Sequence, residues 1–250
     1  MNTSLGQSST PANLRIYAIG DTHGHLNLME KLYAKITWDL ATHPVGDHRI
    51  IFLGDYIDRG PDSAGCVEYL INLMAVSDKL ICLKGNHEDK LQNFLADPIK
   101  LADSFFTYGG LDCAASYGVD MAGFARSEKE VLQVCTELKQ KIPARHTKFY
   151  TELLTTVSFG DYMFTHAGVR PGIALDQQSE HDLIWIRAEF IPYQGLYEKV
   201  IVHGHTPAYP MELLPNRVNV DTHAYETGVL SCLVLDGTEY RVIEAHVIGA

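Results

Sequence analysis

Apolar residues in the first third of this chain come in short runs, each closed by a glycine. The stretches "LRIYAIG" (Leu14–Gly20), "HRIIFLG" (His48–Gly54) and "KLICLKG" (Lys79–Gly85) read as three buried strands. Between the first two lies "LNLMEKLYAKITWDL", whose Leu28, Leu32, Ile36 and Leu40 fall on one helical face. "SAGCVEYLINLMAV" reads as a second helix, and "EDKLQNFLAD" as a third that stops near Pro98. This β-α-β-α-β order predicts neighbouring parallel strands joined by right-handed crossovers.

The pattern then changes twice. From about Asp97 to His146, including "FFTYGGLDCAASYG", it reads as a helical excursion with loops, the part expected to select substrates. Beyond it, "YMFTHAG", "KVIVHGH", "RVNVDTH", "VLSCLVLDG" and "YRVIEAHVI" are short runs separated by turn residues, which predicts a second, more antiparallel sheet. Residues 1–13, "MNTSLGQSSTPAN", are small and polar and read as a flexible tail. The expectation is one α/β domain over residues 14–250, two sheets covered by helices.

Composition narrows the function. With 250 residues and 46% apolar content, one sizeable core is within reach. A formal charge of −11 argues against a nucleic-acid surface, although a phosphate substrate is compatible if metal ions supply positive charge. No run is long enough to span a membrane and the start is not a secretory signal, so the expected location is cytoplasmic. The five cysteines are scattered without a C-x-x-C, so neither a disulfide framework nor a zinc ribbon follows. The 12 histidines are more informative, because several stand beside Gly and Asp.

Each of those clusters directly follows an apolar run: "IGDTHGH", "LGDYIDRG", "KGNHED", "THAG" and "VHGHTP". Ligands of such sheets bind beyond the carboxyl ends of parallel strands. The chain therefore delivers Asp21, His23, Asp55, Asn86, His87, His166 and His205 to one edge. Asp47 and Asp161 also follow glycines, but they precede strands and read as ordinary turn acids. Carboxylate, imidazole and carboxamide donors without thiolate suit Mn, Fe, Zn or Co better than calcium. A carboxylate can bridge two such ions, and a pair about 3.5–4 Å apart activates a water for in-line attack on phosphorus. Arg59, one residue after Asp58, is suited to fork phosphate oxygens.

With "GDTHG", "GDYIDRG", "GNHE", "HAG" and "GHTP" in this order, the chain resembles the phosphoprotein phosphatase family of metallophosphoesterases, from Ile16 to about Val234. The "GHTP…VDT" ending looks most like the compact bacterial and phage serine/threonine members. The resemblance implies a calcineurin-like four-layer α/β/β/α sandwich of two mixed sheets. It also implies two divalent ions, Mn first, with Fe or Zn also suited. Asp21, His23 and Asp55 would hold one ion, and Asp55 would bridge to a second held by Asn86, His166 and His205. His87 would be the general acid paired with Asp58. Arg59, Arg187 of "LIWIRAEF" and Asn86 would face the phosphate, with His203 left to a structural role. An acid of this kind is worth about 10²–10⁴-fold when it protonates a hydroxyl leaving group. Two features depart from the family pattern: Thr22 replaces an apolar residue, and His223 stands where compact members usually carry glycine.

The implied activity is hydrolysis of phosphomonoesters, foremost phosphoserine and phosphothreonine in proteins or peptides. One alternative is a symmetrical diadenosine polyphosphate hydrolase, a related group that usually lacks the acid of "DRG" and ends the third motif in Asp. The presence of Asp58 and Glu88 favours the phosphatase. The other alternative is a non-catalytic phosphoprotein-binding scaffold, disfavoured because every expected ligand and the acid are retained. The sequence carries no signal for oligomeric state.

Overall fold

In a computed structural model that describes residues 3–247, the strands form two five-stranded sheets. The first is ordered β10-β9-β1-β2-β3, from β1 (Leu14–Ile19), β2 (Asp47–Phe52), β3 (Leu80–Cys82), β9 (Val229–Asp236) and β10 (Glu239–His246). The second is ordered β4-β5-β6-β8-β7, from β4 (Thr156–Phe159), β5 (Tyr162–Thr165), β6 (Val200–His203), β7 (Glu212–Leu213) and β8 (Arg217–Asn219).

The period-two alternation of side chains sorts the layers. On β1, Leu14, Ile16 and Ala18 meet Tyr162, Phe164, Val200, Val202 and Val218 of the second sheet in an inter-sheet core. Tyr17 and Ile19 point the other way, into a larger core with α1 (Leu26–Thr42) and α2 (Ser63–Val76). That core also takes in residues of α3 (Asn86–Ala96), α4 (Pro98–Thr107), α5 (Gly110–Ser116), α6 (Glu128–Lys141) and α7 (Ala144–Glu152). Outside the second sheet, Met163 and Ile201 pack on Leu183 and Ile184 of the short α8 (Glu180–Trp185). Helix, sheet, sheet and helix make the four expected layers, and both sheets are mixed.

Two expectations need correcting. The last strands do not all join a second antiparallel sheet: β9 pairs with β1, and β10 with β9, both antiparallel in the first sheet. The centre of the second sheet, β5-β6-β8, is parallel. Apolar runs of this length reveal strands, but pairing depends on which buried faces match. Secondly, the described part of the supposed tail is tied down. Thr3 N–H donates to Tyr197 O at 2.9 Å, Leu5 N–H to Pro215 O at 2.7 Å, and Thr10 N–H to Gly237 O at 3.0 Å. Ser9 N–H donates to the turn acid Asp161 at 2.9 Å, and Ser8 and Thr10 are buried. Small polar residues predict little apolar burial, yet their backbone groups can still bond to neighbouring strands and turns. Met1, Asn2 and residues 248–250 of the expected tail and domain lie outside the described residues. Among those described, no helix is long and apolar enough to cross a membrane.

The fold matters to function through its strand ends. β1, β2 and β3 run parallel in one sheet and β5, β6 and β8 in the other. The turns that follow carry Asp21, Asp55, Asn86, His166, His205 and Asp221.

Candidate active site

Tight turns place these side chains. Among the described residues, eight non-glycine residues have positive φ, and six of them are His23, Asp55, Asp58, Arg59, His205 and His223. Backbone in this region is costly for ordinary residues and collects where a site over-determines it. At His223, φ is 62° and ψ 48°, a left-handed conformation that accounts for a usual glycine there. The carboxylate of Glu88 braces one turn by accepting from the amides of Asp55 (3.0 Å), Tyr56 (2.8 Å) and Gly85 (2.9 Å). A Cβ on Gly85 would stand 2.2 Å from Asp55 Oδ1, so only glycine permits that approach.

All seven residues expected at the edge converge. Asp55 lies between two groups of metal-capable atoms, one with His23 and His87, the other with His166 and His205. Its Oδ2 is 3.6 Å from His23 Nε2, and its Oδ1 is 3.4 Å from His166 Nε2. Asn86 Oδ1 is 3.0 Å from His166 Nε2 and 2.7 Å from His205 Nδ1, the convergence expected of one ligand shell. Asp21 stands outside both groups, held by the His205 amide at 3.0 Å, and its Oδ1 is buried without a hydrogen-bond partner.

The donor set fits divalent cations. His23 Nδ1 donates to Ile57 O and His166 Nδ1 to Leu53 O, each at 2.9 Å, which turns each Nε2 inward. Burial lowers His23 to about 4 and His205 to about 2, so both are neutral at physiological pH, as ligation requires. Burial pushes Asp21 well above the usual carboxylate range, with Asp221 and Asp55 adding to it. Burial also acts on Asp55, but His166, His87 and His23 hold it well below. Among the described residues, no Lys or Arg comes within ion-pair distance of Asp21, Asp55 or Asp221. Asp21 and Asp221 are buried without a basic partner and Asp55 meets only imidazoles, an arrangement that is expensive unless a cation sits among them.

Beside this cluster, His87 Nδ1 and Asp58 Oδ2 are 2.6 Å apart, both fully buried. Burial pushes His87 well below its ordinary value, and burial, with Glu88 and Asp55, pushes Asp58 well above. At 2.6 Å one of these two atoms donates to the other. When Asp58 holds the proton of this bond, or when the ring is imidazolium, Nε2 carries an N–H, as an acid must.

At the rim, Arg59 bonds the Tyr225 hydroxyl and lies 4.5 Å from that ring's centre. Exposed Arg187 donates to His205 O at 2.6 Å. His203 lies beneath, next to buried Arg217, away from both metal-capable groups. Sequence reasoning missed both Asp221 and Tyr225. Asp221 follows the strand "RVN" and Val220 as Asp21 and Asp55 follow theirs, but without a glycine between, so only a weaker form of that signal was present. Tyr225 had none: its ring meets His23 at 5.2 Å and His223 at 4.4 Å only because α9 (Ala224–Thr227) folds back.

Residues 14–234 match the family model described as calcineurin-like phosphoesterase. The chain is 28% identical over 237 residues to the asymmetrical bis(5'-nucleosyl)-tetraphosphatase PrpE of Anoxybacillus flavithermus, covering 86% of this chain and 88% of that protein. A crystal structure with a provisional diadenosine tetraphosphatase name superposes with a TM-score of 0.61 at 19% identity, over 94% of this chain and 99% of that one. A cold-active protein tyrosine phosphatase superposes with a TM-score of 0.57 at 14% identity, covering 94% and 81%. These two likenesses establish the fold.

Proposed function

Because the chain belongs to the calcineurin-like phosphoesterase family, we propose that it is a dinuclear-metal hydrolase that cleaves nucleotide polyphosphates of the bis(nucleosyl) tetraphosphate kind. The observation that carries the chemistry is Asp55 standing between two imidazole groups, with Asn86 Oδ1 shared by His166 and His205. Asp21, His23 and Asp55 would hold one ion, and Asp55, Asn86, His166 and His205 the other. When bound, the ions supply an activated water and neutralise phosphate charge. Arg59, Arg187 and the Asn86 amide group hold the phosphoryl oxygens, and His87 gives its proton to the leaving oxygen while Asp58 holds the ring. The substrate class rests on the tetraphosphatase relative. Manganese is the proposed metal, the cytoplasm the proposed location, and neither nucleic acid nor membrane a proposed partner.

A second reading, phosphoserine or phosphothreonine in proteins, is favoured by the 2.6 Å His87–Asp58 bond. An alkoxide leaving group needs a proton far more than a phosphate leaving group does, so a well-built acid suits a phosphomonoester. The test is a paired assay on manganese-loaded protein, diadenosine tetraphosphate against a phosphoserine peptide. ATP and AMP as rapid products support the first reading. Preferential phosphate release from the peptide replaces it with the second, and turnover of neither overturns both.

A further inference from the structure

Lys90 belongs neither to the metal-capable groups nor to the His87–Asp58 pair. It lies on α3 one turn beyond His87, so both side chains share a helical face. Only 7% of it is exposed, and among the described residues no carboxylate comes within ion-pair distance of its ammonium. Its contacts are aromatic: Nζ is 4.0 Å from the centre of the Tyr108 ring and 5.0 Å from that of Trp185. Cation–π contact of this kind holds an ammonium in place while leaving its donors free for an anion.

The two rings tie Lys90 to both rim arginines. Tyr108 precedes Gly109, whose carbonyl accepts from Arg59 N–H at 3.4 Å. Trp185 stands two residues before Arg187, and its indole N–H donates to Asp89 of α3 at 3.3 Å. Lys90 is thus flanked by the segment against Arg59 and by the segment that carries Arg187. Burial lowers its pKa, Asp55 and Asp58 act to raise it, and Arg59 and Arg187 act to lower it, so its ammonium feels these four charges. A lysine serving only to neutralise Asp55 or Asp58 would be expected in direct contact with one of them.

The geometry points to Lys90 as a specificity-determining cation that takes oxyanions of the phosphate next to the one attacked. This rests on the reading that the substrate carries a chain of phosphates. A monoester offers Arg59 and Arg187 one phosphoryl group, whereas a polyphosphate offers a second anionic group with no other basic residue assigned to it.

The test is competitive inhibition of aryl phosphate hydrolysis at fixed free manganese, by inorganic tripolyphosphate and by orthophosphate. The wild-type protein should bind tripolyphosphate at least about tenfold more tightly, one good charge-assisted contact's worth. Lys90→Met should abolish most of that preference while Lys90→Arg keeps it. Equal weakening of both inhibitors in Lys90→Met, or no preference in the wild type, overturns the proposal; the latter needs no variant to fold. If the preference depends on Lys90 but diadenosine tetraphosphate is not cleaved, the nucleotide reading fails and the polyphosphate subsite stands. If the nucleotide is cleaved and Lys90→Met weakens both inhibitors alike, only the subsite fails.

Discussion

Asp58 Oδ2 and His87 Nδ1 stand 2.6 Å apart, although 29 residues separate them in the chain. A left-handed turn after β2 supplies the acid and the start of α3 supplies the imidazole, so two independent elements fix one bond. His87→Ala should therefore lower kcat by about 10²–10⁴-fold on an alkyl phosphate while both metals stay bound. Its loss should be much smaller on p-nitrophenyl phosphate, whose leaving group needs little protonation. Equal losses on the two substrates would remove the acid role.

Asp55 is the side chain common to both metal-capable groups. Asp55→Asn should reduce bound manganese below two ions per chain, read by elemental analysis, and abolish turnover. In the wild type, metal at a hundredfold over its Kd should add about 2.7 kcal/mol of stability per site. Thermal unfolding with and without manganese measures that shift, and an unmoved midpoint would count against binding to the native fold.

Glu88 accepts from three backbone amides at the base of the Asp55 turn. A glutamine has one carbonyl oxygen for those donors and would turn its NH₂ toward the rest. Glu88→Gln should cost about 1–3 kcal/mol, read from the urea midpoint, and weaken metal binding through the displaced turn. Unchanged stability with unchanged metal content would show the brace to be dispensable.

Tyr225 bonds and stacks on Arg59. If Arg59 grips phosphate, Tyr225→Phe should raise KM roughly three- to tenfold with kcat nearly kept, the effect of losing one charge-assisted bond. A fall in kcat at constant KM would instead make Tyr225 part of transition-state stabilisation.

The gathering of metal-capable side chains was legible because glycine, acid and imidazole follow apolar runs, a pattern that survives without knowing which strands pair. Asp221 follows a strand without the glycine and was overlooked. Lys90 and Tyr225 were not legible, since a lysine in a polar helix start and a tyrosine after a turn read as solvated surface. Asp39 gives a further case: it falls beside the apolar face of α1, yet is buried because Tyr17 and Arg15 from β1 and Arg241 from β10 all reach its carboxylate.

The sequence by itself determined the parallel β-α-β-α-β half, the strand-end motifs and the kind of chemistry they serve, because local periodicity and turn residues are local properties. The tertiary structure alone decided that β9 and β10 return to the first sheet, that residues 3–13 are bonded down, and that Lys90 stands between Tyr108 and Trp185. Those outcomes depend on which distant buried faces and unpaired polar groups meet, and no window of sequence contains both partners.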